Sequence, residues 1–147
     1  MYKHILIPTD GSELAGKAVS AGIEYAREAG ARITLFTAVP EYRIPHEGDI
    51  VSGRAVSAYE HERESAQRAQ AILASAAEKA RSAGLEVATD YVQSNIPSKA
   101  IVAAAKRLGC EAVFMASHGR KGLSRLVHGS RTYDVLTHSE IPTLVVR

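Results

Sequence analysis

The stretch from Ser117 to Arg131 carries four formal cations, Arg120, Lys121, Arg125 and Arg131, with His118 and His128, and contains no acid. Three glycines, Gly119, Gly122 and Gly129, punctuate it before a helical pattern begins at Ser130. A helix start offers free backbone N–H groups and the positive end of a dipole, and glycine lets the backbone approach a phosphate closely. The chemistry within reach is anion binding. A local charge of +4 in a chain of net charge +2 leaves two readings open, an anion site or a solvated basic turn, because glycines also simply make turns. The segment contains neither the G-x4-G-K-[ST] loop nor G-x-G-x-x-G, so the two common nucleotide fingerprints do not apply.

The second candidate is Asp10, in Asp10-Gly11-Ser12-Glu13. Asp10 with Glu13 three residues on has the form of a capping box at a helix start, and the same carboxylate could touch a ligand. His118 likewise fits a phosphate contact or a solvent-exposed turn. His4, His46, His61, His128 and His138 show no metal-ligand spacing, and the single cysteine, Cys110, excludes an intrachain disulfide and the usual zinc sets. Cys110 reads as a small buried residue just before a strand.

These residues need a scaffold, and the hydrophobic pattern supplies one. His4 to Pro8, Ile33 to Val39, Ala112 to Ala116 and Thr143 to Val146 are nearly continuous apolar runs, as expected of strands buried on both faces of a parallel sheet. Leu85 to Val92 alternates and predicts a half-exposed edge strand. Helices are predicted from about Leu14 to a stop at Gly30, from Arg54 to Ala83, from Pro97 to Leu108 with Ser94 or Asn95 as cap, and from Ser130 to Thr137. The first half of the Arg54–Ala83 pattern is weakly apolar and expected to lean into solvent. Strand and helix alternate, which makes a doubly wound α/β sheet with right-handed crossovers. The one long connection, Pro40 to Gly53, is polar with two prolines and two glycines and reads as a lid.

At 147 residues the chain is long enough for one domain with its own core. No window approaches the ~18 consecutive apolar residues of a membrane span, and the opening MYKHILIPTDGS lacks the apolar region of a secretory signal. The expectation is a cytoplasmic protein. A net charge of +2 is too small to imply nucleic acid or a membrane surface.

Ala116-x2-Gly119-x9-Gly129-Ser130, with the opening ILIPTDGS, Thr137-His138-Ser139 and the closing IPTLVV, resembles the universal stress protein family over the whole chain. Its ATP-binding members carry G-x2-G-x9-G-[ST], so Ala116 stands where the motif has its first glycine. The resemblance implies a single domain, 1–147, with five parallel strands in the order 3-2-1-4-5 and helices on both faces. Its ligand is expected at the carboxyl ends of strands 1 and 4, the switch point of such a sheet. It further implies that Pro8, Thr9 and Asp10 border adenine and ribose, with Ala38 beside the base. Met115, Ala116, Ser117, His118, Gly119, Arg120, Lys121 and Gly122 would wrap the ribose and phosphates. Gly129, Ser130, Arg131 and Thr132 would bind phosphate oxygens, and Mg²⁺ or Mn²⁺ would be held mainly by the phosphates. Ala116 is harmless if it keeps strand geometry and costly if it needs positive φ. Arg131 could add a phosphate contact or project outward.

Three functions follow: an ATP-binding stress or signalling module, a nucleotide-free dimeric interaction protein of the same family, and a slow ATP hydrolase. Hydrolysis by design needs a base against the attacking water, and the basic loop offers only histidines. The apolar strand Thr143 to Val146 lies one residue from Arg147 with nothing following to cover it, so pairing of two such strands in a homodimer is expected; the family resemblance implies the same.

Overall fold

The computed structural model describes residues 1–117 and 131–147, without the side chains of Arg131, Thr132, Tyr133 and Leu136. The strands are β1 (His4–Pro8), β2 (Arg32–Val39), β3 (Val87–Gln93), β4 (Ala112–Ala116) and β5 (Thr143–Val146). The helices are α1 (Glu13–Ala29), α2 (Glu47–Val51), α3 (Ala58–Ser82), α4 (Pro97–Arg107) and α5 (Arg131–His138). All pairings are parallel, in the order β3-β2-β1-β4-β5.

The apolar runs of β1, β2 and β4 are buried because helices cover both faces. Ile5, Ile7, Ile33, Leu35 and Phe114 pack with Ala18, Val19 and Ala26 of α1 and Leu73, Ala77 and Ala80 of α3. Alternate residues Leu6, Phe36, Val113 and Met115 pack with Ile101, Ala104 and Ala105 of α4 and Val135 of α5. A strand feeding such a double core cannot alternate polar and apolar, hence the continuous runs. On α1 the packing is close enough that a Cβ on Gly22 would lie 2.3 Å from Ile7 Cδ1. The helix ends where expected, on Gly30 in the left-handed region (φ 62°), with its N–H donating to Ala26.

Three local expectations are corrected. The Pro40–Gly53 connection contains α2, capped reciprocally by His46, whose ring accepts from the Asp49 amide, and by Asp49, whose carboxylate accepts from the His46 amide. Helix α3 begins at Ala58, not near Arg54, because Ser57 and Glu60 form its capping box while the amides of Arg54 and Ala55 bond back to Asp49. Helix α4 has Ile96 at its cap and no side-chain cap. Ser94 Oγ instead accepts from the Ile96 amide at 3.1 Å, and Asn95 Oδ1 from the Glu41 amide at 3.0 Å.

The expected solvent-leaning start of α3 is observed: from Ala58 to Glu64 only His61 is not fully exposed, and burial begins at Ser65. β3 is an edge strand as expected, two residues later than its pattern, since the Leu85 amide still bonds to Ala80 at the end of α3. Its alternation is blurred because Asp90 is partly covered by an ion pair with Arg107 of α4 at 2.5 Å.

Candidate functional site

The turn after β1 is set by a relay of side chain to backbone bonds. The Thr9 amide donates to the Phe36 carbonyl at 2.8 Å, carrying the β1–β2 ladder one residue past the strand. Thr9 Oγ1 then accepts from the Gly11 amide at 3.2 Å, and Asp10 Oδ1 from the Ser12 amide at 2.9 Å. Ser12 Oγ accepts from the Ala15 amide at 3.1 Å and caps α1. The expected cap is therefore corrected: Ser12 caps the helix, while Asp10 makes the turn that precedes it. The result holds an exposed carboxylate at a fixed place beside the strand end.

Beside this turn lies a groove on the α4 face of the sheet. Its floor and walls come from Pro8, Thr9 and Asp10 after β1, Phe36, Thr37 and Ala38 of β2, and Met115 and Ala116 of β4. Ser12, Leu14 and Ala15 of the α1 start and Pro97 and Ile101 of α4 complete it. The lining is mostly apolar with a polar rim at Thr9, Asp10 and Ser12, a composition suited to a flat aromatic ring carrying a hydroxylated group. Chain order reverses between β1 and β4, so the groove occupies the position where open α/β sheets take ligands. The first turn of α4 meets it at Pro97, which brings the positive end of that helix dipole to the wall.

Of the residues expected to form the site, Pro8, Thr9, Asp10, Ala38, Met115 and Ala116 converge on this groove. Ser117 directly follows β4, and its amide donates to the Val146 carbonyl at 2.8 Å, extending the β4–β5 ladder. It does not line the groove. Arg131 and Thr132 are the first residues of α5. His118, Gly119, Arg120, Lys121, Gly122, Gly129 and Ser130 lie outside the described residues. Ala116 is a strand residue paired with Val146, and no described residue other than glycine has positive φ, so its methyl group carries no left-handed strain. None of residues 40–53 lines the groove.

The sequence pattern did not point to Ser12, Leu14, Ala15, Phe36, Thr37, Pro97 or Ile101 as groove residues. A usable signal was present: proline at the first helical position of α4, directly after a strand, puts that helix start at the same end of the sheet. Among the described residues no cluster of three or more His, Cys, Asp or Glu is placed to hold a metal ion, and no helix is long and apolar enough to cross a membrane.

A parallel 3-2-1-4-5 sheet with a groove at its reversal point defines a doubly wound open α/β protein. The model of the universal stress protein family matches residues 1–147, and the chain belongs to that family. Universal stress protein MJ0531 of Methanocaldococcus jannaschii is 30% identical over 150 residues, covering 100% of this chain and 83% of the relative. The solved structure of MJ0577 from the same organism superposes with TM-score 0.77 at 27% identity, covering 99% of this chain and 96% of that one. A universal stress protein in complex with cAMP (TM-score 0.72, 20% identity, 99% and 97% covered) shares the fold. So does one from Archaeoglobus fulgidus in complex with dAMP (TM-score 0.66, 19% identity, 99% and 98% covered).

Proposed function

We propose that the chain, as one universal stress protein domain over residues 1–147, binds ATP at the carboxyl ends of β1 and β4 and serves as a cytoplasmic stress or signalling module. The observation that carries this reading is the convergence of Pro8, Thr9, Asp10, Ala38, Met115 and Ala116, far apart in sequence, on one groove. Adenine lies between the apolar walls with Ala38 at its edge, and Asp10 accepts from the ribose hydroxyls. The phosphates run toward Ser117, His118, Gly119, Arg120, Lys121 and Gly122 and toward Gly129, Ser130, Arg131 and Thr132. Mg²⁺ or Mn²⁺ is carried by the phosphates. The complexes of related folds with cAMP and dAMP support an adenine nucleotide over other ligands. The protein acts as a homodimer joined through Thr143 to Val146.

Calorimetry with ATP, ADP and adenosine tests it. Because most polar recognition is aimed at phosphate, ATP binds roughly tenfold or more tightly than adenosine, and the gap narrows as salt rises. No ATP binding at millimolar nucleotide with Mg²⁺ or Mn²⁺ would favour the nucleotide-free interaction protein instead.

A further inference from the structure

At the opposite end of the sheet one buried imidazole of β1 touches β2 and the turn that enters β4. His4, at the start of β1, is only 7% exposed. Its Nε2 lies 2.8 Å from Thr34 Oγ1 on β2 and 3.5 Å from Cys110 Sγ, two residues before β4. Its Nδ1 is fully buried and makes no hydrogen bond among the described residues. The backbone joins at the same place: the Glu111 amide donates to the His4 carbonyl at 2.8 Å, and the Arg32 amide to the Lys3 carbonyl at 3.0 Å.

We propose that His4 is a proton-sensitive latch that clasps the amino ends of β1, β2 and β4 while neutral and is released when acid charges it. A neutral ring needs one N–H donor, and the Thr34 hydroxyl can serve as its partner. An imidazolium has two donors; Nδ1 makes no hydrogen bond to the described residues, and the Gly109 carbonyl beside the ring, which favours the charged form, does not offset the cost of burying it. Cys110 offers no counter-charge, because burial pushes its thiol up to about 11 and keeps it protonated.

The groups facing the ring are mixed. Burial, and after it the Arg32 guanidinium on β2, lower the His4 pKa below its ordinary 6.5. The Gly109 carbonyl, Glu111 and Glu86 pull the other way without reversing the result. Helix α4 brings Ala104, Ala105 and Leu108 to the cluster around Cys110, with no charge. The folded protein therefore binds this proton more weakly than the unfolded chain does. The latch's stabilisation is complete above 6.5 and lost as pH falls from there toward the folded pKa.

An NMR titration of the imidazole C–H resonances, with His4 identified by its loss in His4→Gln, tests this directly. The expected result is a His4 midpoint below 6.5. Thermal melts between about pH 8 and pH 5 should show an acid slope of up to about 3–5 °C per pH unit that His4→Gln reduces. A midpoint at or above 6.5, or equal slopes in both proteins, overturns the proposal. Should the variant fail to fold, sequential assignment of the wild-type resonance supplies the midpoint, and that value alone decides.

Discussion

The carboxylate of Asp10 accepts a hydrogen bond from the amide of Ser12 at 2.9 Å, and Ser12 in turn caps α1. Both residues border the groove, and Ser12 also holds the helix. Asp10→Ala should weaken ATP binding by about tenfold through loss of a charged acceptor, with little change in melting temperature. Ser12→Ala should show the reverse, losing about 1 kcal/mol of cap and roughly 2–4 °C in Tm. Calorimetry and thermal melts on the two variants check this contrast; equal losses of affinity and stability in both would count against it.

Gly22 of α1 is required by packing rather than by backbone conformation. A Cβ there would meet Ile7 Cδ1 at 2.3 Å, and Ile7 is fully buried. Gly22→Ala gains about 1 kcal/mol of helix propensity but overpacks a tight contact at a cost of about 1–3 kcal/mol. The expected outcome is a lower Tm, restored by adding Ile7→Val, which removes the colliding atom. Chemical denaturation of the two single variants and the double variant measures the coupling, and strict additivity would contradict the contact.

The same contact shows what a sequence can and cannot disclose. β1, β4 and β5 are legible because strands fed by a parallel sheet read as unbroken apolar runs, and their observed bounds match those runs. Gly30 is legible as a helix stop. Helix α2 is not, since five residues capped by His46 leave no periodicity and no familiar cap residue. The groove is half legible. Asp10 and Ala116 sit at strand ends whose turns carry local signals, whereas Phe36 and Ile101 reach the groove only through packing between distant elements.

Among the described residues β5 stands at the edge of the sheet, and its Leu144 is 47% exposed, an apolar surface on that edge. In the proposed homodimer two such edges join, and a charge there faces its own symmetry copy. Leu144→Asp should convert a dimer to a monomer while the circular dichroism spectrum stays that of a folded α/β protein. Sedimentation equilibrium decides, and a variant that remains dimeric places the contact elsewhere.

Ala116 departs from the family's glycine, and its environment says what that departure does. It ends β4, pairs with Val146 of β5, and belongs to a described set in which only glycines have positive φ. The backbone there needs no glycine, and the alanine side chain packs partly buried against the α1 face of the core. Ala116→Gly should therefore leave ATP affinity within about twofold, because it relieves no strain. It should lower stability by about 0.5–1 kcal/mol, since glycine loses more backbone freedom in a strand, which corresponds to roughly 1–4 °C in Tm. Gly129→Val serves as the contrast: placed two residues before α5, a branched side chain there should block backbone approach to phosphate and abolish ATP binding with the dimer intact. A gain of ten-fold or more in affinity for Ala116→Gly would show instead that the methyl group stands in the way of the ligand, and that this chain has traded nucleotide affinity for something else at that position.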